Sequence, residues 1–86
     1  MVERTVTVPN ETGLHARPAT DLVKLSQQFE SEILLFTAEE RINAKSIVSV
    51  LAGGVMQGDV VRLEASGPDE ARAADEVESF IKNLTD

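Results

Sequence analysis

The chain carries a single histidine, and it lies in the segment GLHARPA (13–19). Pro18 suits the first turn of a helix, where its missing N–H costs no hydrogen bond. His15 therefore falls at or next to an N-cap. The first-turn N–H groups, those of Ala16 and Arg17 included, are then free to point at an anion. Arg17 adds a permanent cation with a planar donor fork. Gly13 lets backbone approach with no Cβ in the way. Together these parts make a small oxyanion site with an imidazole at its rim. A helix N-terminus favours a bound anion over an imidazolium by roughly 0.3–1 kcal/mol when exposed and about 2 when partly buried. A histidine that accepts a phosphoryl group uses both properties in turn, a neutral nucleophilic ring first and an anion on that ring afterwards. Energies of this size tune a transfer but do not catalyse it. Phosphoryl transfer needs in-line positioning and neutralisation by a metal or several cations. One arginine falls short of that, so the remaining machinery must come from partners.

Composition narrows the alternatives. Eighty-six residues make one domain, 1–86, with a modest core and no room for a deep enclosed active site. There is no cysteine, hence no disulfide framework and no thiolate metal site. One histidine without cysteine makes no usual zinc site either, so neither metal nor cofactor is expected. The formal charge is -7, from 15 acidic and 8 basic residues, a field that repels nucleic acid and anionic lipid. The start, MVERTVTV, lacks the basic and apolar regions of a signal peptide. No apolar run approaches the roughly 20 residues that span a bilayer. The chain reads as soluble, cytoplasmic and globular.

The elements that must position His15 follow from periodicity. Val2, Val6 and Val8 share one parity and Glu3, Thr5 and Thr7 the other, which is a strand with one wet face. Residues 9–13 form a loop. From Ala16 onward Ala19, Leu22, Val23 and Phe29 recur at helical spacing. EILLFT (32–37) reads as a buried strand, and AEE turns the chain into a short strand over Arg41 to Asn43. Ser46 is placed to N-cap IVSVLA, and Gly53-Gly54 to end it. Within that helix Val50 and Leu51 are expected to be at least partly core. VVRLEAS (60–66) alternates with Val61, Leu63 and Ala65 inward. Asp69 and Glu70 open a last helix with the stripe Ala73, Ala74, Val77, Phe80, Ile81 and Leu84; its acidic start and Lys82 suit the helix dipole. The order is β-α-β-β-α-β-α, two layers with helices on one side of a small sheet.

Other constellations have blander readings. Gly53, Gly54 and Gly58 follow a helix and do not match GxGxxG, so they read as a helix stop and a turn. No GxSxG surrounds a serine. Glu39-Glu40 reads as a solvated turn and Asp69-Glu70 as a helix start.

Three segments together resemble one family. GLHARPA (13–19), NAKSI (43–47) and GVMQGD (54–59) are similar, at matching spacing, to the signatures of the HPr family, the histidine-containing phosphocarriers of the phosphoenolpyruvate-dependent sugar phosphotransferase system. The resemblance covers essentially the whole chain. It implies an α+β open-faced β-sandwich, a four-stranded antiparallel sheet covered on one face by three helices. It implies that His15 takes a phosphoryl group on Nδ1 from phosphorylated enzyme I and passes it to the IIA domain of a sugar transporter, with Arg17 neutralising the phosphate. Such a protein is a substrate of enzymes more than a catalyst. Ser46 would be a regulatory phosphorylation position, served by a kinase. Ile47, Val48 and Leu51, with Lys24 and Lys45, would form the docking surface of a monomer. The chain departs from the family in carrying few lysines, with Gln27 and Ser49 neutral, and in having glycine at 53 where a larger apolar residue is common. Three lysines against 15 acids resemble proteins of salt-rich cytoplasm. A related relay, of the nitrogen-type regulatory system or of dihydroxyacetone kinase, uses the same scaffold. A purely regulatory binding module would not need His15.

Overall fold

The computed structural model describes residues 1–85. Seven elements follow in order: β1 (Val2–Thr7), α1 (Arg17–Ser26), β2 (Glu32–Phe36), β3 (Arg41–Asn43), α2 (Ile47–Ala52), β4 (Val60–Ser66) and α3 (Glu70–Lys82). The strands form one antiparallel sheet in the order β1-β4-β2-β3. Alternation decides which face is dry. Val6, Ile33, Leu35, Ile42, Val61, Leu63 and Ala65 point to the helices and are buried. Glu3, Thr5, Thr7 and Arg62 point away and are exposed. This is the open-faced sandwich the sequence implies.

The helices close the dry face with their apolar stripes. α1 contributes Ala19, Leu22 and Val23, and α3 contributes Ala73, Ala74, Val77 and Ile81. Six-residue α2 is anchored by Val50 alone, a burial worth roughly 1.5–3 kcal/mol. Arg4 shares the inward parity of Val2 and Val6. Its guanidinium reaches α3, with Nη2 3.0 Å from Asp75 and Nε 3.4 Å from Glu78.

Several expectations need correction. Phe29 is buried but lies beyond α1, which ends at Ser26 when Gln27 N–H closes on Val23 O at 2.9 Å and Gln28 N–H turns to Leu25 O at 3.1 Å. β2 is not buried throughout: Ile33 and Leu35 are, whereas Leu34 and Phe36 look onto the open face and are only partly covered. Thr37 lies outside the strand, its Oγ1 accepting from the N–H groups of Glu39 and Glu40 and so closing the β2–β3 turn. Leu51 stands on the exposed side of α2, about 100° around from Val50. Phe80 and Leu84 are only partly buried, and Leu84 lies past the end of α3.

Asp69 does not cap α3 with its side chain. Its carboxylate turns across to the α1–β2 turn, where it accepts from Ser31 Oγ at 2.5 Å and from the N–H groups of Ser31 and Glu30 at 3.0 Å each. The Ser31 hydroxyl above all, helped by the two N–H groups against the opposing effect of burial, holds the Asp69 carboxyl down at about 2.

Candidate functional site

His15 is half-buried at the entrance to α1. The loop that carries it is held from inside: Leu14 is fully buried, Asn10 Nδ2 donates to Gly13 O at 3.0 Å, and Gly13 N–H donates to Asn10 O at 3.2 Å. Gly13 is packed against the loop after α2. A Cβ there would lie 2.3 Å from Val55 O, and φ is +68°. Glycine is thus required twice over, by conformation and by space. Leu14 N–H then donates to Val55 O at 3.1 Å.

Ala16 is the N-cap of α1, with φ 55° and ψ -130°, the sole non-glycine residue of positive φ among the described residues. That conformation costs on the order of 1–3 kcal/mol. It carries no side-chain cap, its carbonyl accepts Thr20 N–H at 3.2 Å, and Pro18 stands in the first turn as expected. Among the described residues no hydrogen bond engages the N–H of Ala16 or of Arg17. Arg17 is exposed and makes no ion pair among the described residues. The site therefore combines an accessible imidazole, unspent donors and a free guanidinium, all suited to an oxyanion.

At α2 the N-terminus is built differently. Ser46 has extended backbone and its Oγ accepts Ser49 N–H at 3.2 Å, which makes it the expected N-cap. Ser49 Oγ in turn accepts Asn43 N–H at 2.8 Å, tying α2 to β3. Ile47, Val48 and Leu51 are 38%, 74% and 43% exposed, an apolar patch on a helix that packs against α1. Met56, beside the Gly13 contact, is a further exposed apolar residue at 64% that no periodicity signalled. Gly53 lies against Ile42, whose Cδ1 would sit 2.3 Å from an added Cβ. The space of a larger residue at 53 is thus filled by Ile42.

The two lysines differ. Lys24 is exposed in the last turn of α1. Lys45 is half-buried, its Nζ donates to Phe29 O at 2.6 Å, and Gln27 Nε2 donates to its carbonyl at 3.1 Å. Its ammonium is engaged with the turn that follows α1 instead of standing in solvent as Lys24 does. Arg17, Pro18 and Asp21 also border a shallow cleft with Asn83, Leu84 and Thr85, so residues 83–85 lie beside the entrance to α1, a proximity the sequence does not announce. A larger cleft lies elsewhere, between the β2–β3 turn and the residues after α2.

Residues 2–83 match the family described as "PTS HPr component phosphorylation site". The chain belongs to the HPr family. The phosphocarrier protein HPr of Treponema pallidum (strain Nichols) is 41% identical over 83 residues, 96% of this chain and 94% of that protein. The crystal structure of HPr-C-His from Thermoanaerobacter tengcongensis superposes with a TM-score of 0.92 at 41% identity, covering 95% of this chain and 92% of that one. A structure titled as an HPr dimer from the same organism covers 95% of this chain and 94% of that one at 41% identity, with a TM-score of 0.75. The chain is thus an HPr phosphocarrier of the phosphotransferase system, and its four-stranded antiparallel sheet with three helices is the HPr fold. Among the described residues no helix is long and apolar enough to cross a membrane.

Proposed function

We propose that His15 accepts a phosphoryl group on Nδ1 from phosphorylated enzyme I and hands it to the IIA domain of a sugar transporter, in the cytoplasm and as a monomer. One observation carries this reading: the chain's single imidazole stands at a helix entrance whose Ala16 and Arg17 N–H groups are unspent among the described residues. The Nδ1 lone pair attacks phosphorus, and the bond from phosphorus to the donor atom of enzyme I breaks with its electron pair returning to that atom. The His15 ring gives up one proton and the donor takes one up, so the exchange balances in both directions. The Ala16 and Arg17 N–H groups receive the phosphoryl oxygens, and the Arg17 guanidinium offsets their charge through hydrogen bonds worth roughly 1.5–3 kcal/mol each. Ile47, Val48 and Leu51 supply the apolar contact for partners, Lys24 the nearby cation, and Lys45 a fixed one. Ser46 is the regulatory position, where a kinase-added phosphate would lie on that docking surface.

The test is incubation with phosphoenolpyruvate and enzyme I, followed by intact mass. One phosphoryl group should be gained, labile in acid and stable in base. His15→Ala should abolish it and keep the fold. An acid-stable adduct formed on the His15→Ala protein would overturn the reading.

A further inference from the structure

The segment GVMQGD (54–59) has no part in the transfer chemistry, yet it grips the His15 loop at both ends. Where the loop begins, Gly58 N–H donates to Val8 O at 2.8 Å and Val8 N–H donates to Asp59 O at 2.9 Å. Where it ends, Leu14 N–H donates to Val55 O at 3.1 Å. The turn between these grips is itself closed, with Met56 N–H donating to Asp59 Oδ2 at 2.9 Å and Asp59 N–H to Met56 O at 3.1 Å. One side chain crosses the gap. Gln57 Nε2 donates to Pro9 O at 3.0 Å, linking residues 48 apart in the chain. Pro9 is the first residue of the loop and has no N–H of its own to anchor it.

We infer that Gln57 is a positioning residue for phosphoryl transfer: its amide, held on the closed 55–59 turn, fixes the entry of the His15 loop so that the imidazole meets an incoming phosphorus in line. The inference rests on the proposed transfer. Gln57 is exposed and fills no core space, so its loss leaves the packing of the fold in place. What it removes is one of the restraints on a loop whose other end is fixed at Leu14. Transfer by in-line displacement is sensitive to such restraint, because small misplacements of the reacting atoms slow it steeply.

The experiment compares wild type with Gln57→Met, which keeps the length and loses the donor, and Gln57→Lys, which restores a donor of similar reach. Phosphorylation by enzyme I and phosphoenolpyruvate is followed against carrier concentration, with thermal melting measured alongside. In Gln57→Met the limiting rate falls about tenfold or more, while the half-saturating concentration and the melting midpoint stay at wild-type values. In Gln57→Lys most of the limiting rate returns. In the free protein, amide hydrogen exchange at Gly13 and Leu14 speeds up in Gln57→Met with the core amides unchanged. An unaltered limiting rate in Gln57→Met overturns the inference while leaving His15 as the acceptor. So does a loss of rate that merely tracks a fall in melting midpoint. A wild-type protein that takes no phosphoryl group at all overturns the transfer reading and this inference with it.

Discussion

Gly13→Ala tests whether the His15 loop is seated as tightly as its contacts indicate. The added Cβ would lie 2.3 Å from Val55 O and 2.9 Å from Met56 Cα, both backbone atoms that cannot swing aside. The residue would also keep φ near +68°, which costs a non-glycine residue about 1–2 kcal/mol. Overpacking of this kind adds about 1–3 kcal/mol. Moving the loop outward to relieve it breaks the Leu14 N–H to Val55 O bond, about 1 kcal/mol more. The total is about 3–6 kcal/mol, a large share of a typical stability of about 5–15. Gly54→Ala is the matched control. Its φ is +63°, and beyond its own chain neighbours no atom of the described residues lies within 4 Å of the added Cβ, so it pays the conformational cost alone. The entropy that alanine removes from the unfolded chain is common to both variants and cancels in the comparison. Denaturant unfolding with slopes compared should place Gly13→Ala about 2–4 kcal/mol below Gly54→Ala. At roughly 4–8 °C per kcal/mol for a domain of this size, that is a difference in Tm of about 8 °C or more. Two variants within 1 kcal/mol of each other would show that the loop is not pressed on the 55–56 backbone, and the seating argument would fail.

Three further outcomes follow from the same geometry. Arg17→Glu should slow phosphorylation of His15 by orders of magnitude and Arg17→Lys by less, because the exposed guanidinium makes no other ion pair among the described residues; stopped-flow or quenched assays with enzyme I decide it, and equal rates for wild type and Arg17→Glu would place neutralisation wholly on the partner. Ser46→Asp should keep or raise thermal stability, since a carboxylate can still receive Ser49 N–H at a helix start, while slowing transfer by setting charge beside Ile47 and Val48; an unchanged transfer rate refutes the docking assignment. The Asp69 carboxyl lies at about 2 in the folded chain against 3.8 when free, so its contribution to stability is present above about pH 3.8 and is lost as pH falls toward 2. Asp69→Asn should therefore be less stable than wild type at neutral pH and should approach it below pH 2, as read by unfolding at a series of pH values.

Strand parity is the most legible layer of this sequence, because one wet face and one dry face impose a two-residue rhythm that Val61, Leu63 and Ala65 display directly. The helix starts were legible too, from Pro18 and Ser46. So was the end of α2 at Gly53, but the end of α1 was not. Phe29 continues the apolar spacing of α1 and is buried, yet it is reached through a turn, and spacing alone cannot separate those two routes into a core. Leu51 shows the same limit in a six-residue helix, where one buried residue suffices and the neighbouring apolar residue is free to face outward. Long-range polar contacts left no local trace at all. Asp69 with Ser31, Gln57 with Pro9, and Lys45 with Phe29 join residues 38, 48 and 16 apart, and no period or motif encodes them. The placement of His15, Ala16 and Arg17 at a helix entrance could be read because its signal, Pro18 in the first turn, is local.

The two short-range helix entrances in this fold explain each other. At Ser46 the hydroxyl accepts from one of the donors that an N-terminus offers, the N–H of Ser49. At Ala16 no side chain does so among the described residues, and the backbone stands in a left-handed conformation that alanine adopts at a cost. A serine or aspartate there could turn its own oxygen onto the free N–H groups and compete with any arriving phosphoryl oxygen. Alanine cannot compete. The cost of its conformation is offset by neighbours that do not touch the donors: Leu14 buried below, Pro18 preset for the first turn, and the Asn10 amide holding Gly13. A phosphoryl group on His15 would thus meet donors whose hydrogen bonds have been left open by the fold itself, and it would leave them equally open when it departs. Reversible carriage needs that symmetry, since an N-terminus that refilled its own donors would hold one state of the histidine at the expense of the other.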